Sequence, residues 1–211
     1  MVAVFYKGWF TCGGSIISTE WILTAAHCVY KRNSSAFSII SGTIELDREI
    51  DEEVPVSQVI YHESYQVNSN LANDVAVLRL FTALVYDENI RPVTLPSYQE
   101  KIPDYAETNI MGWGTQKYNG TPSPALLKAV LHVVPNSICN TAYSSYNYHI
   151  LSSNLCAGTL GGGVGQCTGD SGGPMVYFDD VGYPQIGIVS FSAKPCGSKY
   201  FPGVYTRVSR S

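Results

Sequence analysis

Short runs of apolar residues alternate along the whole chain with clusters of Gly, Pro, Asn and Ser. Runs of this kind, bounded by turn formers, are typical of β-strands, and no long stretch keeps the period of a helix. The pattern predicts strands at Val2–Tyr6, Trp21–Ala25, Phe37–Ser41, Val54–Ile60, Val75–Leu80, Thr108–Gly112, Leu127–Val134, Pro174–Phe178, Gln185–Phe191 and Gly203–Val208. Short helical turns are predicted at Ala25–Cys28 and Asn136–Tyr143, the second with Asn136 as its N-cap.

Many short strands at regular spacing imply an antiparallel sandwich or barrel and not a parallel α/β sheet. The 211 residues suffice for one large domain or for two halves. The proline-containing segment Asn89–Pro103 is the predicted linker between two halves. Both ends of the sequence look cut, because Val2–Tyr6 reads as an internal strand and no signal peptide precedes it. We therefore expect a fragment of a longer protein.

The composition excludes several classes of protein. An apolar fraction of 45% with 14% charged residues is typical of a globular chain, and no apolar run approaches the roughly 20 residues needed to cross a bilayer. The net charge is −4 and the basic residues are scattered, so neither nucleic acid nor membrane is an expected partner. The most charged segment is predicted to be a solvated surface loop, with calcium binding the weaker interpretation. Its acidic residues are Glu45, Asp47, Glu49, Asp51, Glu52 and Glu53.

Six cysteines make an even number, at positions that match neither zinc nor redox-dithiol spacing: Cys12, Cys28, Cys139, Cys156, Cys167 and Cys196. Disulfides in an extracellular protein are the favoured interpretation, although the number alone allows fifteen pairings. Two glycosylation sequons, at Asn33 and Asn119, agree with secretion but are short enough to occur by chance. No metal site and no cofactor are predicted.

Three separate segments carry residues suited to nucleophilic catalysis. Gly169–Pro174 places Ser171 in a glycine-rich turn whose amides, at Gly169 and Ser171, can converge on a developing oxyanion. A serine needs a neighbouring base, and His27 lies among small residues beside Cys28. Asp74 supplies a carboxylate at the head of an apolar strand. Each segment alone is more often structural, but the three together are far less often a coincidence.

With these segments the sequence resembles the trypsin and chymotrypsin family of serine proteases over nearly its whole length. Further matching motifs, in the order typical of the family, are Cys12–Ser15, Gly112–Gly114, Asn154–Gly158, Gly187–Ser190 and Pro202–Val208. The resemblance implies an all-β fold of two antiparallel six-stranded Greek-key barrels with the active site between them. Residues 1–92 would form the barrel with His27 and Asp74, and residues 93–211 the barrel with Ser171 and the specificity pocket.

The resemblance also implies roles for individual residues. Ser171 would attack the scissile carbonyl, His27 would act as general base and then acid, and Asp74 would orient His27. Ser190 would lie close to Asp74, and the backbone at residues 190–192 would pair with an extended substrate. The implied disulfides are Cys12–Cys28, Cys139–Cys156 and Cys167–Cys196.

Specificity is expected to reside in a pocket formed by Gly165, Gln166, Thr168, Ser190, Phe191, Ser192 and Gly203. Trypsin-like relatives have an aspartate where this sequence has Gly165, so cleavage after Arg or Lys is not expected. Gly203 is expected to leave room, while Ser192 narrows the entrance slightly. Cleavage after Phe, Tyr, Leu or Met is the prediction, and elastase-like cleavage after small residues is the alternative.

One departure from the family concerns activation. The Ile-Val-Gly-Gly start, whose amine pairs with the residue that matches Asp170, is absent from this sequence. We therefore expect a zymogen, with Asp170 lacking a partner and a misformed oxyanion hole in the present chain. A secreted monomer that acts on proteins or peptides and is controlled by protein inhibitors is expected. A non-catalytic homologue that binds partners is the alternative, and an esterase of another fold is remote because its motif order differs.

Overall fold

Two closed antiparallel barrels of six strands each form the protein, which confirms the predicted fold class. The structure is a computed structural model that describes residues 1–46, 52–65, 71–178 and 182–210. The N-terminal barrel contains β1 (Val2–Tyr6), β2 (Trp9–Ile16), β3 (Trp21–Thr24), β4 (Phe37–Ser41), β5 (Val54–Tyr61) and β6 (Ala76–Leu80). The C-terminal barrel contains β7 (Glu107–Gly112), β8 (Leu127–Val134), β9 (Asn154–Gly158), β10 (Pro174–Tyr177), β11 (Gln185–Phe191) and β12 (Gly203–Arg207).

The strand order is β1-β2-β3-β6-β5-β4 in the first barrel and β10-β11-β12-β9-β8-β7 in the second. Helices are few and short: α1 (Ala26–Val29), α2 (Asn136–Tyr143) and 3-10 turns at Ser34–Ala36, Ser144–Tyr146 and Val208–Arg210. Within the described ranges, no helix is long and apolar enough to span a bilayer.

Two strands, β2 and β9, were not among those predicted from the hydrophobic pattern. Both contain glycine and cysteine, residues that weaken the alternation by which a strand is recognised. In β2 the lack of a side chain at Gly14 is required by packing, because a Cβ there would lie 2.8 Å from Ile22 Cγ2 and 3.1 Å from Leu23 O. Gly14 therefore allows close approach of neighbouring strands and does not mark a loop.

The expectation that Asn136 caps helix α2 is wrong. The cap position is Pro135, and Asn136 is the first helical residue. Its side-chain amide instead donates to Leu151 O at 2.9 Å and to Asn154 O at 3.0 Å. The side chain thus joins the helix to the adjacent loop and strand and makes no capping bond.

Each barrel encloses its own apolar core. The largest cluster fills the N-terminal barrel with side chains such as Ile22, Phe37 and Leu78. A second cluster, which includes Leu131 and Tyr205, fills the C-terminal barrel. Because closure leaves no unpaired edge strand, the barrels are rigid supports for the loops that meet between them.

The connection between the barrels runs from the end of β6 to the start of β7 and includes the predicted linker. It bonds to both halves: Val93 N donates to Ile16 O and Gln185 N donates to Thr94 O, each at 2.8 Å. The predicted domain boundary between residues 92 and 93 falls in this connection and stays a prediction. In the acidic segment Glu45 is exposed, whereas Asp47, Glu49 and Asp51 lie outside the described residues.

Candidate active site

A buried carboxylate and a histidine form the centre of the site. Asp74 lies just before β6 and is fully buried, while the His27 side chain on α1 is 26% exposed. Asp74 Oδ2 contacts His27 Nδ1 at 2.7 Å, and Asp74 Oδ1 accepts a hydrogen bond from His27 N at 2.8 Å. The carboxylate thus holds both the backbone and the ring of His27, leaving Nε2 as the ring nitrogen that can act on a substrate.

Two hydroxyl groups of the C-terminal barrel complete the surroundings of Asp74. Ser190 Oγ on β11 donates to Asp74 Oδ2 at 2.6 Å. Thr206 Oγ1 on β12 donates to Asp74 O at 2.9 Å. A charge removed from water requires hydrogen bonds in compensation. Here these hydrogen bonds come from both barrels. The relative position of the two barrels therefore determines the environment of Asp74.

Ser171 lies in the same cleft as His27, on the loop that precedes β10. Its carbonyl accepts a hydrogen bond from Gly13 N of β2 at 2.7 Å, and Gly172 N donates to Val189 O at 2.8 Å. Strands of both barrels therefore hold the loop on either side of the serine. This explains how a residue distant in sequence is held opposite the histidine.

No hydrogen bond joins Ser171 Oγ to His27 Nε2 in the part of the chain that the structure describes. His27 Nε2 instead contacts Cys28 Sγ at 3.8 Å. Contacts between nucleophile and base are often long in a site without substrate and shorten when substrate binds. The structure thus shows the His27–Asp74 pair formed and Ser171 beside it.

The turn around Ser171 depends on glycines at two positions with left-handed backbone. Gly169 has φ +97° and Gly172 has φ +78°, a region that other residues rarely adopt. A Cβ on Gly172 would lie 2.5 Å from Gly13 O, so this residue has no room for a side chain. The two glycines allow the sharp turn on which Ser171 lies.

Asp170 has polar partners, which corrects the expectation that it has none. Its Oδ1 accepts from Gly114 N at 2.9 Å and its Oδ2 from Cys167 N at 2.8 Å. Burial raises the pKa of Asp170, although these two backbone donors act in the opposite direction. Among the described residues no cationic group forms an ion pair with this carboxylate. Whether the oxyanion hole is misformed stays a prediction.

The structure contains the three disulfides that the resemblance implied: Cys12–Cys28, Cys139–Cys156 and Cys167–Cys196. The first joins α1 to β2 beside His27, and the third begins four residues before Ser171. Cys12, His27 and Cys28 lie close enough to resemble a metal site. Both sulfurs are in a disulfide, however, and a metal ligand would need to be a free thiolate.

Comparison with known proteins assigns this arrangement to a family. The sequence profile of the Trypsin family matches residues 1–211. The chain belongs to the trypsin family. It is 42% identical to Ovochymase of Halocynthia roretzi over 207 residues, which is 94% of this chain and 13% of that protein. It is 36% identical to human Transmembrane protease serine 11B over 210 residues, which is 97% of this chain and 48% of that protein. The chain thus spans less than half the length of these relatives.

In this trypsin-family domain, the cleft beside Ser171 has a volume of about 360 Å³. Five residues expected in the specificity pocket line it: Gln166, Thr168, Ser190, Phe191 and Ser192. The other two, Gly165 and Gly203, are not among its lining residues. Gly165 instead faces a second cavity of about 300 Å³, which Asp170 also lines.

The room expected above Gly203 is filled by the side chain of Gln166. A Cβ built on Gly203 would lie 2.5 Å from Gln166 Nε2 and 2.6 Å from Gln166 Cδ. The expectation of an open pocket at this position is therefore wrong. It rested on Gly203 alone and took no account of Gln166, which covers that glycine.

Sequence reasoning also missed several residues around the site. Thr206 of β12 donates to Asp74 O, although the motif containing it was recognised. Lys194 and Arg32 line the cleft. Nothing in the local sequence distinguishes these residues from surface or core positions, and only their neighbours in the fold identify them.

The two sequon asparagines are both exposed. Asn33 Oδ1 accepts from Ser35 N and from Ser35 Oγ, each at 3.1 Å, within its own 3-10 turn. Asn119 lies in a turn with φ +60°. Glycosylation at either position stays a prediction.

Proposed function

We propose that this chain is the peptidase domain of a serine endopeptidase that hydrolyses peptide bonds through an acyl-enzyme intermediate. The observation that carries the proposal is the fully buried Asp74 bonded to His27 Nδ1 at the edge of the cleft that holds Ser171. A buried carboxylate in contact with a histidine ring stabilises the imidazolium that forms when the ring accepts a proton.

The proposed reaction proceeds in two steps. In the first, His27 Nε2 takes the proton of Ser171 Oγ as that oxygen attacks the scissile carbonyl, and the same proton is then delivered to the leaving amine. In the second, His27 takes a proton from water as the water attacks the acyl-serine ester, and it returns that proton to the departing Ser171 Oγ as the carboxylic acid product is released. Asp74 remains ionised throughout and orients the ring.

Stabilisation of the oxyanion is proposed to come from the amides of Gly169 and Ser171. The left-handed Gly169 turns the loop, and the bond from Gly13 N to Ser171 O fixes its position against β2. Preorganised donors of this kind contribute about 10²–10³-fold to turnover each.

Residues 190–192 are proposed to bind the substrate backbone as an added strand. They lie at the end of β11 and line the cleft, and an extended peptide can use the backbone groups of a strand that ends at such an opening. The substrates are proposed to be proteins or peptides, with protein inhibitors occupying the same cleft.

Activation by cleavage is a further part of the proposal. Asp170 faces a cavity of about 300 Å³ that is also lined by Gly112 and Gly114. Burial raises the pKa of this carboxyl group, so a cationic amine entering the cavity would compensate an unfavourable charge. We propose that a new N-terminal amine serves this purpose in a zymogen that is converted to the active form.

Secretion to an oxidising compartment is proposed on the basis of the disulfides. All six cysteines are paired, and disulfides persist outside the cytosol. The sequons at Asn33 and Asn119 are exposed, as glycan acceptors must be. The protein is proposed to act as a monomer.

Labelling with a fluorophosphonate tests the proposed activity. The full-length, activated protein is expected to react at Ser171 and to hydrolyse a peptide library, and Ser171→Ala is expected to lose both properties, with turnover about 10⁶-fold lower. The matched control is Ser144→Ala, because Ser144 lies on an exposed 3-10 turn and does not line the cleft. Absence of labelling in a folded, activated protein would identify a non-catalytic homologue and refute the proposal.

A further inference from the structure

We propose that Gln166 closes the specificity pocket, so that the protein cleaves after small uncharged residues and excludes Phe, Tyr, Leu and Met. This inference rests on the proposed function, since it concerns the same cleft. The sequence led us to expect a preference for large apolar residues, with elastase-like cleavage as the alternative. The inference favours the alternative and assigns the shallow pocket to the Gln166 side chain.

The first step is the position of Gln166. The residue lies between Gly165 and Cys167, five positions before Ser171, and is only 3% exposed. It lines the cleft that contains Ser171 and His27, whereas Gly165 and Gly203 do not. The carboxamide lies directly over Gly203, as the 2.6 Å separation between its Cδ and a Cβ built there shows. The space that glycine leaves open is therefore already occupied.

The second step is that two hydrogen bonds hold the carboxamide in place. Gln166 Oε1 accepts a hydrogen bond from Tyr205 Oη, and Gln166 Nε2 donates to Phe191 O at 3.0 Å. A hydroxyl donor on one side and a carbonyl acceptor on the other determine which end of the amide is oxygen. The side chain thus bridges β12 and the end of β11 across the base of the cleft.

The third step is the consequence of displacing this side chain. Tyr205 is fully buried, and its hydroxyl has Gln166 Oε1 as its recorded partner. A large apolar substrate side chain would have to move the carboxamide away and leave that hydroxyl without an acceptor. A buried polar group that loses its partner costs free energy, so the complex with such a substrate is strongly disfavoured. A short side chain would fit above the amide and leave the network intact.

Basic substrate side chains are also disfavoured. The basic residues Arg32 and Lys194 line the cleft, and no acidic residue does so among those described. An arginine or lysine would therefore meet a neutral amide and no compensating carboxylate. Small neutral residues such as alanine, serine, threonine and valine remain as the class that the pocket accepts.

A peptide series that varies only the residue before the scissile bond tests the inference. In the full-length, activated protein we expect kcat/KM to be at least about tenfold higher for Ala or Val than for Phe. Gln166→Ser is expected to raise the Phe-to-Ala ratio by about 10²-fold, the scale of discrimination that one or two pocket groups provide. Gln166→Ser combined with Tyr205→Phe removes both partners of the bridge and is expected to give the same change without a buried unpaired hydroxyl.

Two further measurements make the outcome unambiguous. Ser192→Gly removes only a hydroxymethyl at the entrance and is expected to change the ratio much less than Gln166→Ser. Equilibrium binding of the same peptides to Ser171→Ala, followed by fluorescence anisotropy, reports pocket size without any chemistry, so a failure of the proposed catalysis is distinguished from a failure of this inference. Three results would overturn the inference. They are binding of the Phe peptide as tight as or tighter than that of the Ala peptide when Gln166 is retained, no measurable binding of any peptide, and a Phe-to-Ala ratio that Gln166→Ser does not change.

Discussion

The glycine that follows the proposed nucleophile offers a quantitative test of how the site is built. Gly172 and Gly163 both have left-handed backbone, with φ +78° and φ +85°. At Gly163 nothing lies within 4 Å of an added Cβ. At Gly172 the added atom would lie 2.5 Å from Gly13 O and 3.1 Å from Ala25 N. Replacement by alanine thus imposes the same backbone strain at both positions but a steric clash at only one.

The magnitudes follow from this difference. Left-handed backbone costs a residue with a side chain about 1–2 kcal/mol, and overpacking against backbone atoms adds about 1–3 kcal/mol. Alanine also lowers the conformational entropy of the unfolded chain. The stability gained in this way is similar for both substitutions and cancels in the comparison. We expect Gly163→Ala to lower the free energy of unfolding by about 1–2 kcal/mol and Gly172→Ala by about 2–5 kcal/mol. At about 2–4 °C per kcal/mol, the Tm shifts are readily separated.

The second measurement is the rate of Ser171 labelling by a fluorophosphonate. Relief of the clash at Gly172 requires movement of this loop or of its neighbours Thr24 and Gly13, and the Gly13 amide holds Ser171 O. A displacement of about 1 Å at a reacting group can cost 10²-fold, so Gly172→Ala is expected to label at least about 10²-fold more slowly, and Gly163→Ala at nearly the normal rate. Equal Tm shifts together with equal labelling rates would refute the reasoning.

Two further predictions concern the carboxylates. Asp74→Asn is expected to lower kcat about 10⁴-fold, the effect of the wrong imidazole tautomer in this family, with KM nearly unchanged; steady-state kinetics test this, and an unchanged kcat contradicts the assigned role. Burial raises the pKa of Asp170, so the stability it contributes is fully present below the ordinary aspartate pKa of about 3.9 and is lost as pH rises through the raised value. The Tm of the 211-residue chain minus that of its Asp170→Asn variant should therefore fall as pH rises above about 3.9 in thermal unfolding; a rising difference would show that the shift has the opposite sign.

Most of the fold could be read from the chain. Strands β1, β4, β8 and β11 begin and end where the hydrophobic pattern predicts, because each presents a mainly apolar run between turn formers. Strands β2 and β9 were missed because glycines weaken their apolar pattern and their cysteines serve disulfide contacts with helices α1 and α2. Those contacts are between residues distant in sequence, and no local pattern reports them.

Some residues of the site could likewise be recognised in the sequence, and others only in the structure. The motifs around His27, Asp74 and Ser171 were recognisable because the chemistry requires particular residue types in a particular local backbone. The bond from Thr206 to Asp74 was not recognisable, since a threonine in a strand resembles any other. The partners of Asp170 were also unforeseen, because they are backbone amides of Gly114 and Cys167, which any sequence possesses.

The sequence by itself determined the class of fold, the candidate nucleophile, base and carboxylate, and the presence of enough cysteines for three disulfides. Only the tertiary structure decided which space each side chain occupies. Gly203 alone indicates an open pocket, but β12 brings it under the Gln166 carboxamide, which Tyr205 and Phe191 hold in place. Residue types are encoded one position at a time, whereas the volume of a pocket depends on side chains from several strands that only folding brings together.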